Sequence, residues 1–314
     1  MALDPIASAA PVVAGAVRAG LAPRRRDFGG LVFQVLLLGS LLITLAILFT
    51  LVADVVRRAL PVFLERGPGF LGGSLSSDPA KAGVLQGIFG TLGLGVMVAI
   101  LAFPVGIATA IYLEEYETGG WFARFVQVNI RNLAGVPSVV YGLLGLAVFV
   151  PLFDLADGKG VGRNLLAGGL TLAVLVLPIV VITSIEALRA VPIALREAGY
   201  GVGASRWEVT SQLVLPAALP GILTGTVLAL SRALGETAPL VLAGAVLGSF
   251  SGLSLGTFFT GSYTALPVIV YDWSRKPQDA FRADAAAAIV ILLLITLLAN
   301  ALAILIRSRY DRPA

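Results

Sequence analysis

Residues 186–239 read EALRAVPIALREAGYGVGASRWEVTSQLVLPAALPGILTGTVLALSRALGETAP, and this segment decides how the rest of the chain is arranged. Its polar part, residues 186–216, lies between strongly apolar runs, in a chain with a mean hydropathy of +0.95 and 13% charged residues. A charged side chain is unfavourable at the centre of a bilayer, so such a polar segment has to lie outside the hydrocarbon. The sequence therefore predicts a loop on one face of a membrane.

Two short helices joined by a turn are predicted within this loop. Pro192 suits the first turn of the first helix, and Gly199, Gly201 and Gly203 free the backbone to turn after it. A second helical segment covers residues 207–214, and Pro216 suits the first turn of the membrane span that follows. A small, partly apolar helical elbow of this kind can dock in a groove of a soluble partner.

The spacing of several residues in the loop resembles the cytoplasmic loop motif of ABC importer permeases. That motif is written EAA, three residues, G, nine residues, I-x-L-P, and here Gly199 replaces its second alanine and Leu213 its isoleucine. The resemblance implies that the loop forms coupling helices that seat on an ATP-hydrolysing subunit. A chance amphipathic loop between two spans is the alternative. The positions that match the motif are Glu197, Ala198, Gly199, Gly203, Leu213, Leu215 and Pro216.

The composition excludes several other classes of protein. Hydrophobic residues make up 58% of the 314 residues, which would leave a soluble core too little polar surface. The chain contains neither Cys nor His, so it can form no disulfide, no thiolate metal site and no histidine proton relay. The net charge of +4 is modest and lies mostly in loops, so it does not indicate nucleic-acid binding.

Six apolar runs are long enough to cross a bilayer, which takes about 20 residues each. An all-α membrane protein is therefore predicted, and the resemblance implies the type I ABC importer permease fold, with six transmembrane helices and a cytoplasmic coupling-helix loop. Both termini are then expected in the cytoplasm of a bacterium, with the chain in its inner membrane. The predicted spans are 29–56, 84–113, 133–155, 165–188, 216–247 and 284–307.

The remaining segments are assigned from these spans. Residues 1–28 are predicted to form a cytoplasmic tail that ends in an arginine triplet, and residues 57–83 an outer loop after the first span. The permease core is placed at residues 84–308, with the coupling loop at 186–216, and residues 309–314 form a second cytoplasmic tail.

Small residues in the second span predict close helix packing. Gly87, Gly90 and Gly95 lie at helical spacing, and glycines in such positions let the backbones of neighbouring membrane helices approach closely. Packing is favoured here over a direct role toward a substrate.

Two further runs of sequence make the resemblance more specific. Residues 132–143 (NLAGVPSVVYGL) and residues 232–240 (RALGETAPL) resemble the membrane subunits of the high-affinity phosphate importer, and the TAPL ending favours its PstA type over the PstC type. Asn132 and Ser138 flank a Gly-Val-Pro break at the mouth of a span, and such a break is tolerated only where it lies against protein or a water-filled path. The resemblance implies that Asn132, Ser138 and Thr237 lie along the substrate path.

Arg232 and Glu236 form a predicted charge pair inside the membrane. A helix that starts near Pro216 and rises about 1.5 Å per residue places Arg232 roughly 24 Å along it, and Glu236 one turn further on the same face. A guanidinium suits phosphate, while Glu236 could hold Arg232 in an empty path and accept a hydrogen from a protonated phosphate oxygen. The alternative is an Arg–Glu bridge that only joins helices.

Aromatic residues in the outer loop 248–283 have two possible roles. Tyr271 and Trp273 could contact an external receptor, or they could anchor the chain at the outer headgroup layer.

The energy for transport has to come from other chains, because the sequence contains no G-x-x-x-x-G-K-[ST] phosphate loop. We expect a non-catalytic subunit without a cofactor of its own. The resemblance implies a second, PstC-like permease, two copies of a PstB-like ATPase that bind ATP and Mg, and an extracytoplasmic PstS-like phosphate-binding protein. The alternatives are a permease for another oxyanion, such as phosphonate, sulfate or molybdate, an ion-coupled secondary transporter, and a membrane scaffold that transports nothing.

Overall fold

The computed structural model describes residues 28–117, 119–157, 162–245, 259 and 261–310, and these form helices, turns and loops. Three π-helical segments, Tyr112–Tyr116, Gly145–Phe149 and Val209–Val214, extend or join α-helices. The α-helices are α1 (Phe28–Arg66), α2 (Pro68–Gly72), α3 (Leu85–Ile111), α4 (Trp121–Ala134), α5 (Ser138–Leu144), α6 (Val150–Asp157), α7 (Leu165–Arg189), α8 (Ile193–Gly201), α9 (Arg206–Glu208), α10 (Leu215–Gly235), α11 (Ala238–Leu242), α12 (Leu266–Arg275) and α13 (Asp279–Tyr310).

Six helical stretches of the described residues are long and apolar enough to cross a membrane, which confirms the predicted all-α fold with six spans. The N-terminal tail up to residue 27, residues 246–258 of the outer segment and residues 311–314 lie outside the described residues. The six stretches are Phe28–Arg66, Leu85–Tyr116, Ser138–Leu155, Leu165–Arg189, Arg206–Gly235 and Asp279–Ser308.

Five boundaries differ from the predicted ones by five residues or more. Helix α1 continues to Arg66, so the expected outer loop 57–83 is wrong for its first ten residues. The third span begins at Ser138, because the Gly-Val-Pro break separates it from α4. The fifth ends at Gly235 and not at residue 247, because the helix breaks before Pro239. The fifth helical stretch begins at Arg206 and not at residue 216, and the sixth begins at Asp279 and not at residue 284.

The first described residues form a compact unit of their own, which ends at Asp54. This part of α1 is apolar all round, as a membrane helix is. Its hydroxyl groups bond to the helix's own backbone: Ser40 donates to the Leu37 carbonyl, and Thr44 donates to the Ser40 carbonyl. Hydrocarbon offers no other partner for such groups.

The second compact unit, from Val55 onward, has its core where α3, α7 and α10 pack together. Glycines in α3 allow the close approach predicted from the sequence. A methyl group on Gly106 would lie 2.7 Å from Val180 Cγ1, and one on Gly95 would lie 3.0 Å from Leu234 Cδ2. The small residues of the second span are therefore used for helix packing.

A cap of packed aromatic residues lies at the end of the bundle where α3 begins. The Trp273 ring lies 6.2 Å from the Phe70 ring and 5.9 Å from the Phe281 ring, and the Arg66 side chain forms an ion pair with Asp284. Trp273 is only 2% exposed, so the expectation that it meets a receptor or the headgroup layer is wrong for this residue.

Candidate functional site

The predicted elbow is present as two short helices that join α7 to α10, and we use the name elbow for residues 190–214. Helix α8 begins after Pro192 and ends at Gly201. Gly203 then has a φ of 82°. Its N–H donates to the Tyr200 carbonyl at 2.9 Å, and the Ala204 N–H donates to the Gly199 carbonyl at 3.2 Å. This pair of bonds is a Schellman motif, which ends a helix and places glycine in the left-handed conformation.

The motif glycine on α8 lets the two helices of the elbow pack. Gly199 is buried, and a methyl group there would lie 2.8 Å from both Val209 Cγ2 and Leu213 Cδ1. Two motif positions, Gly199 and Leu213, therefore contact each other across the turn. Because glycine replaces alanine here, the facing side chains of the second helix come closer to α8 than a methyl group would permit.

The second helix of the elbow is fixed at its start by a capping box. Ser205 Oγ accepts from the Glu208 N–H at 3.3 Å, and the Glu208 carboxylate accepts from the Ser205 N–H at 2.7 Å. The helix then continues as the π-helical segment Val209–Val214 and enters α10 without a break, with Pro216 in the first turn of α10. The elbow and the fifth span thus share one continuous helix.

Apolar side chains project from the elbow. Val202, at the tip of the turn, is 85% exposed, and Ile193 and Trp207 are also exposed. The motif residues Glu197 and Ala198 lie on the exposed part of α8. This surface carries the features of a helical element that docks in a partner's groove.

Three arginines tie the elbow region to the end of α3, an arrangement that the sequence analysis missed. Arg189 Nε lies 2.9 and 3.0 Å from the two oxygens of Glu114, and Arg196 Nη2 lies 2.7 Å from Glu115 Oε1. Arg206 Nη1 donates to the Tyr116 carbonyl at 3.2 Å. We call this set of six residues the arginine clasp: Glu114, Glu115, Tyr116, Arg189, Arg196 and Arg206.

The predicted charge pair is present where the fifth span ends. Arg232 Nε lies 3.3 Å from Glu236 Oε1, but Glu236 follows the last residue of α10 and has extended backbone dihedrals. Thr237 comes next, before α11. The expected shared helix face is therefore wrong, although the pair forms. The Arg232 side chain is 44% exposed, and the Glu236 side chain is half-buried.

The two runs that resemble phosphate importer subunits, residues 132–143 and 232–240, pack against each other. A methyl group on Gly142 would lie 2.7 Å from Pro239 Cα, so α5 and α11 approach at the backbone. The Tyr141 hydroxyl donates to the Leu133 carbonyl at 2.8 Å and thereby bridges the Gly-Val-Pro break.

Asn132 and Ser138 were also predicted to lie along the substrate path. Asn132 is exposed near the end of α4, and Ser138 begins α5. Among the described residues, no hydrogen bond or ion pair joins either of them to Arg232 or Glu236.

A polar contact joins the fifth and sixth spans. Ser231 Oγ donates to Asn300 Oδ1 at 2.6 Å, so Asn300 forms an interhelical hydrogen bond, as such residues usually do in membranes.

Comparison with solved structures shows the same fold in ABC importers. The MetNI methionine ABC transporter, in an inward-facing conformation, matches with a TM-score of 0.57 and 20% identity, over 73% of this chain and 96% of that chain. A bacterial ABC transporter involved in the import of alginate matches with a TM-score of 0.52 and 15% identity, over 86% of this chain and 96% of that chain.

Comparison with curated proteins gives relatives of higher identity. The phosphate transport system permease protein PstA 1 of Mycobacterium tuberculosis (strain H37Rv) is 34% identical over 72% of this chain and 70% of its own length. PstA of Pasteurella multocida is 30% identical over 81% of this chain and 84% of its own length. The probable ABC transporter permease YqgH of Bacillus subtilis is 42% identical over about half of each chain (51%).

A family model covers all the residues of the clasp, the elbow and the charge pair. It matches residues 102–312 and describes the binding-protein-dependent transport system inner membrane component. Together with the six spans and the helical elbow, this match means that the chain belongs to the family of binding-protein-dependent transport system inner membrane components.

Proposed function

We propose that this chain is the PstA-type permease subunit of an ATP-driven importer of inorganic phosphate. The observation that carries the transport role is the elbow: a helical turn fixed by Gly203, with an exposed apolar tip, that continues directly into a membrane span. The chain itself does not hydrolyse ATP in this proposal. Two ATPase copies bind ATP and Mg, and their closure moves the elbow.

The assignment of phosphate as the substrate is supported by the polar break after α10. Arg232 offers planar donors that match phosphate oxygens, and within the described part of the chain its ion pair with Glu236, at 3.3 Å, is long enough to exchange for a substrate oxygen. Glu236 can also accept a hydrogen from a protonated phosphate. The Glu236 carboxylate limits how tightly Arg232 holds the anion, and a path residue has to release its substrate.

Further support comes from the relatives named as phosphate transport permeases and from the contact between α5 and α11. The proposed assembly pairs this chain with a second, PstC-like permease in the bacterial inner membrane. A phosphate-binding receptor delivers substrate on the outer face, and both termini and the elbow lie in the cytoplasm.

Uptake of labelled phosphate tests this proposal. Cells that lack the chain receive it either intact or with Val202→Asp, which places a charge at the exposed tip of the elbow, and Val202→Thr serves as the control of similar shape. We expect the intact chain and Val202→Thr to restore uptake, and Val202→Asp to reach the membrane without restoring it.

Sulfate uptake in the same cells tests the substrate assignment. Restored uptake of another oxyanion in place of phosphate would contradict the phosphate assignment and leave the importer assignment intact. Uptake that persists after ATP is depleted, or that Val202→Asp restores fully, would contradict the ATP-driven role of the elbow.

A further inference from the structure

The arginine clasp connects parts of the chain that are far apart in the sequence. The elbow is covalently continuous with α7 and α10, whereas α3 precedes it by more than 70 residues, as the separations of 75, 81 and 90 residues across the three contacts show. The clasp gives the inner end of α3 a direct polar link to the elbow.

The central pair of the clasp is the most enclosed. The Glu115 side chain is 5% exposed and the Arg196 side chain 19% exposed. Besides its 2.7 Å bond to Glu115, Arg196 donates to the carbonyls of Leu188 at 2.9 Å and Val191 at 2.8 Å. The Leu188 carbonyl lies in the last turn of α7 and the Val191 carbonyl just after its end, a region where backbone acceptors lack intrahelical partners. One guanidinium therefore joins the ends of α3 and α7 to helix α8.

The other two contacts of the clasp hold Glu114 and Tyr116, the residues on either side of Glu115. Arg189 contacts both oxygens of Glu114 on the surface, and the Arg206 guanidinium lies 5.4 Å from the centre of the Tyr116 ring while it donates to the Tyr116 carbonyl. Arg189 ends α7, Arg196 lies on α8 and Arg206 begins the second helix of the elbow, so the segment 114–116 is held at three successive points from the end of α7 to the start of that second helix.

A buried ion pair responds to movement differently from an apolar contact. Apolar surfaces can slide past each other, but separation of Glu115 from Arg196 would leave a buried charge without its partner, which is strongly unfavourable. The elements joined by such a pair therefore tend to move together.

We propose that the buried Glu115–Arg196 pair of the clasp transmits movement of the elbow to the inner end of α3, with Glu115 and Arg196 as the positioning residues of this link. The inference rests on the proposed function in one respect, which is that a partner ATPase moves the elbow. In this mechanism α3 follows the elbow together with α7 and α10, so all three core helices respond to the ATPase as one group.

The coupling ratio, phosphate taken up per ATP hydrolysed, tests the inference in vesicles that contain the complete complex. Glu115→Gln keeps the shape of the side chain and an oxygen acceptor but removes the buried charge. Glu114→Gln makes the same change in the exposed pair and is the matched control. We expect Glu115→Gln to retain ATP hydrolysis and to lower the coupling ratio by about five-fold or more, and Glu114→Gln to leave the ratio nearly unchanged.

Two results of this experiment would overturn the inference. One is an unchanged ratio in Glu115→Gln, including the case in which uptake and hydrolysis fall equally, and the other is the same loss of coupling in both variants. Vesicles of the intact complex that hydrolyse ATP without taking up phosphate would instead contradict the proposed substrate, which separates the two failures.

A distance measurement keeps the inference testable if Glu115→Gln does not assemble. The chain contains no Cys, so cysteines introduced at Tyr112 and Ala194, which are exposed on α3's π-helical extension and on α8, can carry spin labels at two defined sites. We expect the same distance between the labels with and without nucleotide in the complete complex, whatever its cargo. A distance that changes with nucleotide would overturn the proposed link.

Discussion

Replacement of Gly203 by alanine tests whether the turn of the elbow depends on backbone conformation alone. No atom lies within 4 Å of a methyl group added at Gly203, so the substitution creates no clash, but its φ of 82° is a conformation that side chains disfavour. Gly201, two residues earlier, has equally open space around an added methyl group and lies in the last turn of α8. The two substitutions therefore differ in backbone strain and not in packing.

The two substitutions are expected to change the stability of the elbow in opposite directions. Alanine in the left-handed conformation costs about 1–2 kcal/mol, and the lower entropy of the unfolded chain returns about 0.4–1 kcal/mol, so Gly203→Ala should destabilise the turn by about 1 kcal/mol. Gly201→Ala should stabilise α8 by about 0.5–1 kcal/mol, because alanine loses less conformational entropy in a helix than glycine does. A change of 1 kcal/mol corresponds to about a five-fold change in how often the turn opens.

Hydrogen exchange of the amides at positions 203 and 204 measures this opening, since both amides are hydrogen-bonded across the turn. In the complete complex, Gly203→Ala should speed their exchange about five-fold, and Gly201→Ala should not speed it at all. Equal effects of the two substitutions, or slower exchange in Gly203→Ala, would refute the argument that φ at Gly203 controls the turn.

Three further substitutions test packing and polar contacts. Glu236→Gln removes the charge of Glu236 without changing the shape of the side chain, so we expect normal assembly and an altered concentration dependence of phosphate uptake. Failed assembly would show that the bridge to Arg232 is structural. Gly199→Ala places a methyl group 2.8 Å from both Val209 Cγ2 and Leu213 Cδ1 and should lower stability by about 1–2 kcal/mol, seen as a lower Tm. An unchanged Tm would show that these two side chains move aside freely. Ser231→Ala removes the 2.6 Å bond to Asn300 and should cost only about 0.6 kcal/mol in denaturant unfolding, whereas a loss of uptake would argue for a transport role of Asn300.

Features that depend on local chemistry were predictable from the sequence. Apolar runs gave the six spans, because the thickness of the bilayer sets how many apolar residues a helix needs. The turn of the elbow was predicted from Gly199, Gly201 and Gly203. Of these three, the structure gives Gly203 the left-handed backbone that few other residues accept, whereas Gly199 and Gly201 lie within α8. The close packing of α3 followed from its glycines for an equally local reason.

Features that depend on tertiary contacts were not predictable in this way. The clasp joins Glu115 to Arg196 across 81 residues, and no helical or strand period relates two positions so far apart. Trp273 was expected at a surface because aromatic residues favour interfaces, but Phe70 and Phe281 enclose it from two other segments. The break after Gly235 had a local signal in Pro239, which the apolar character of the following residues concealed.

The elbow and the charge pair lie at opposite ends of one helix, and this relates the two parts of the proposed function. Val214 and Leu215 both have α-helical dihedrals, so the second helix of the elbow passes into α10 without an interruption. The 21 residues of α10 span about 31 Å, and the helix ends next to Glu236. In the proposed mechanism, a displacement of the elbow along this axis reaches the neighbourhood of Arg232 through this continuous helix. The break at Glu236 and Thr237 then separates the part of the chain that follows the elbow from α11, which is packed against α5 at Gly142. Arg232 and Glu236 thus lie where α10 meets α11. In the proposed mechanism α10 moves with the elbow while α11 is held by α5, so a movement of the elbow would alter the distance between the two charges.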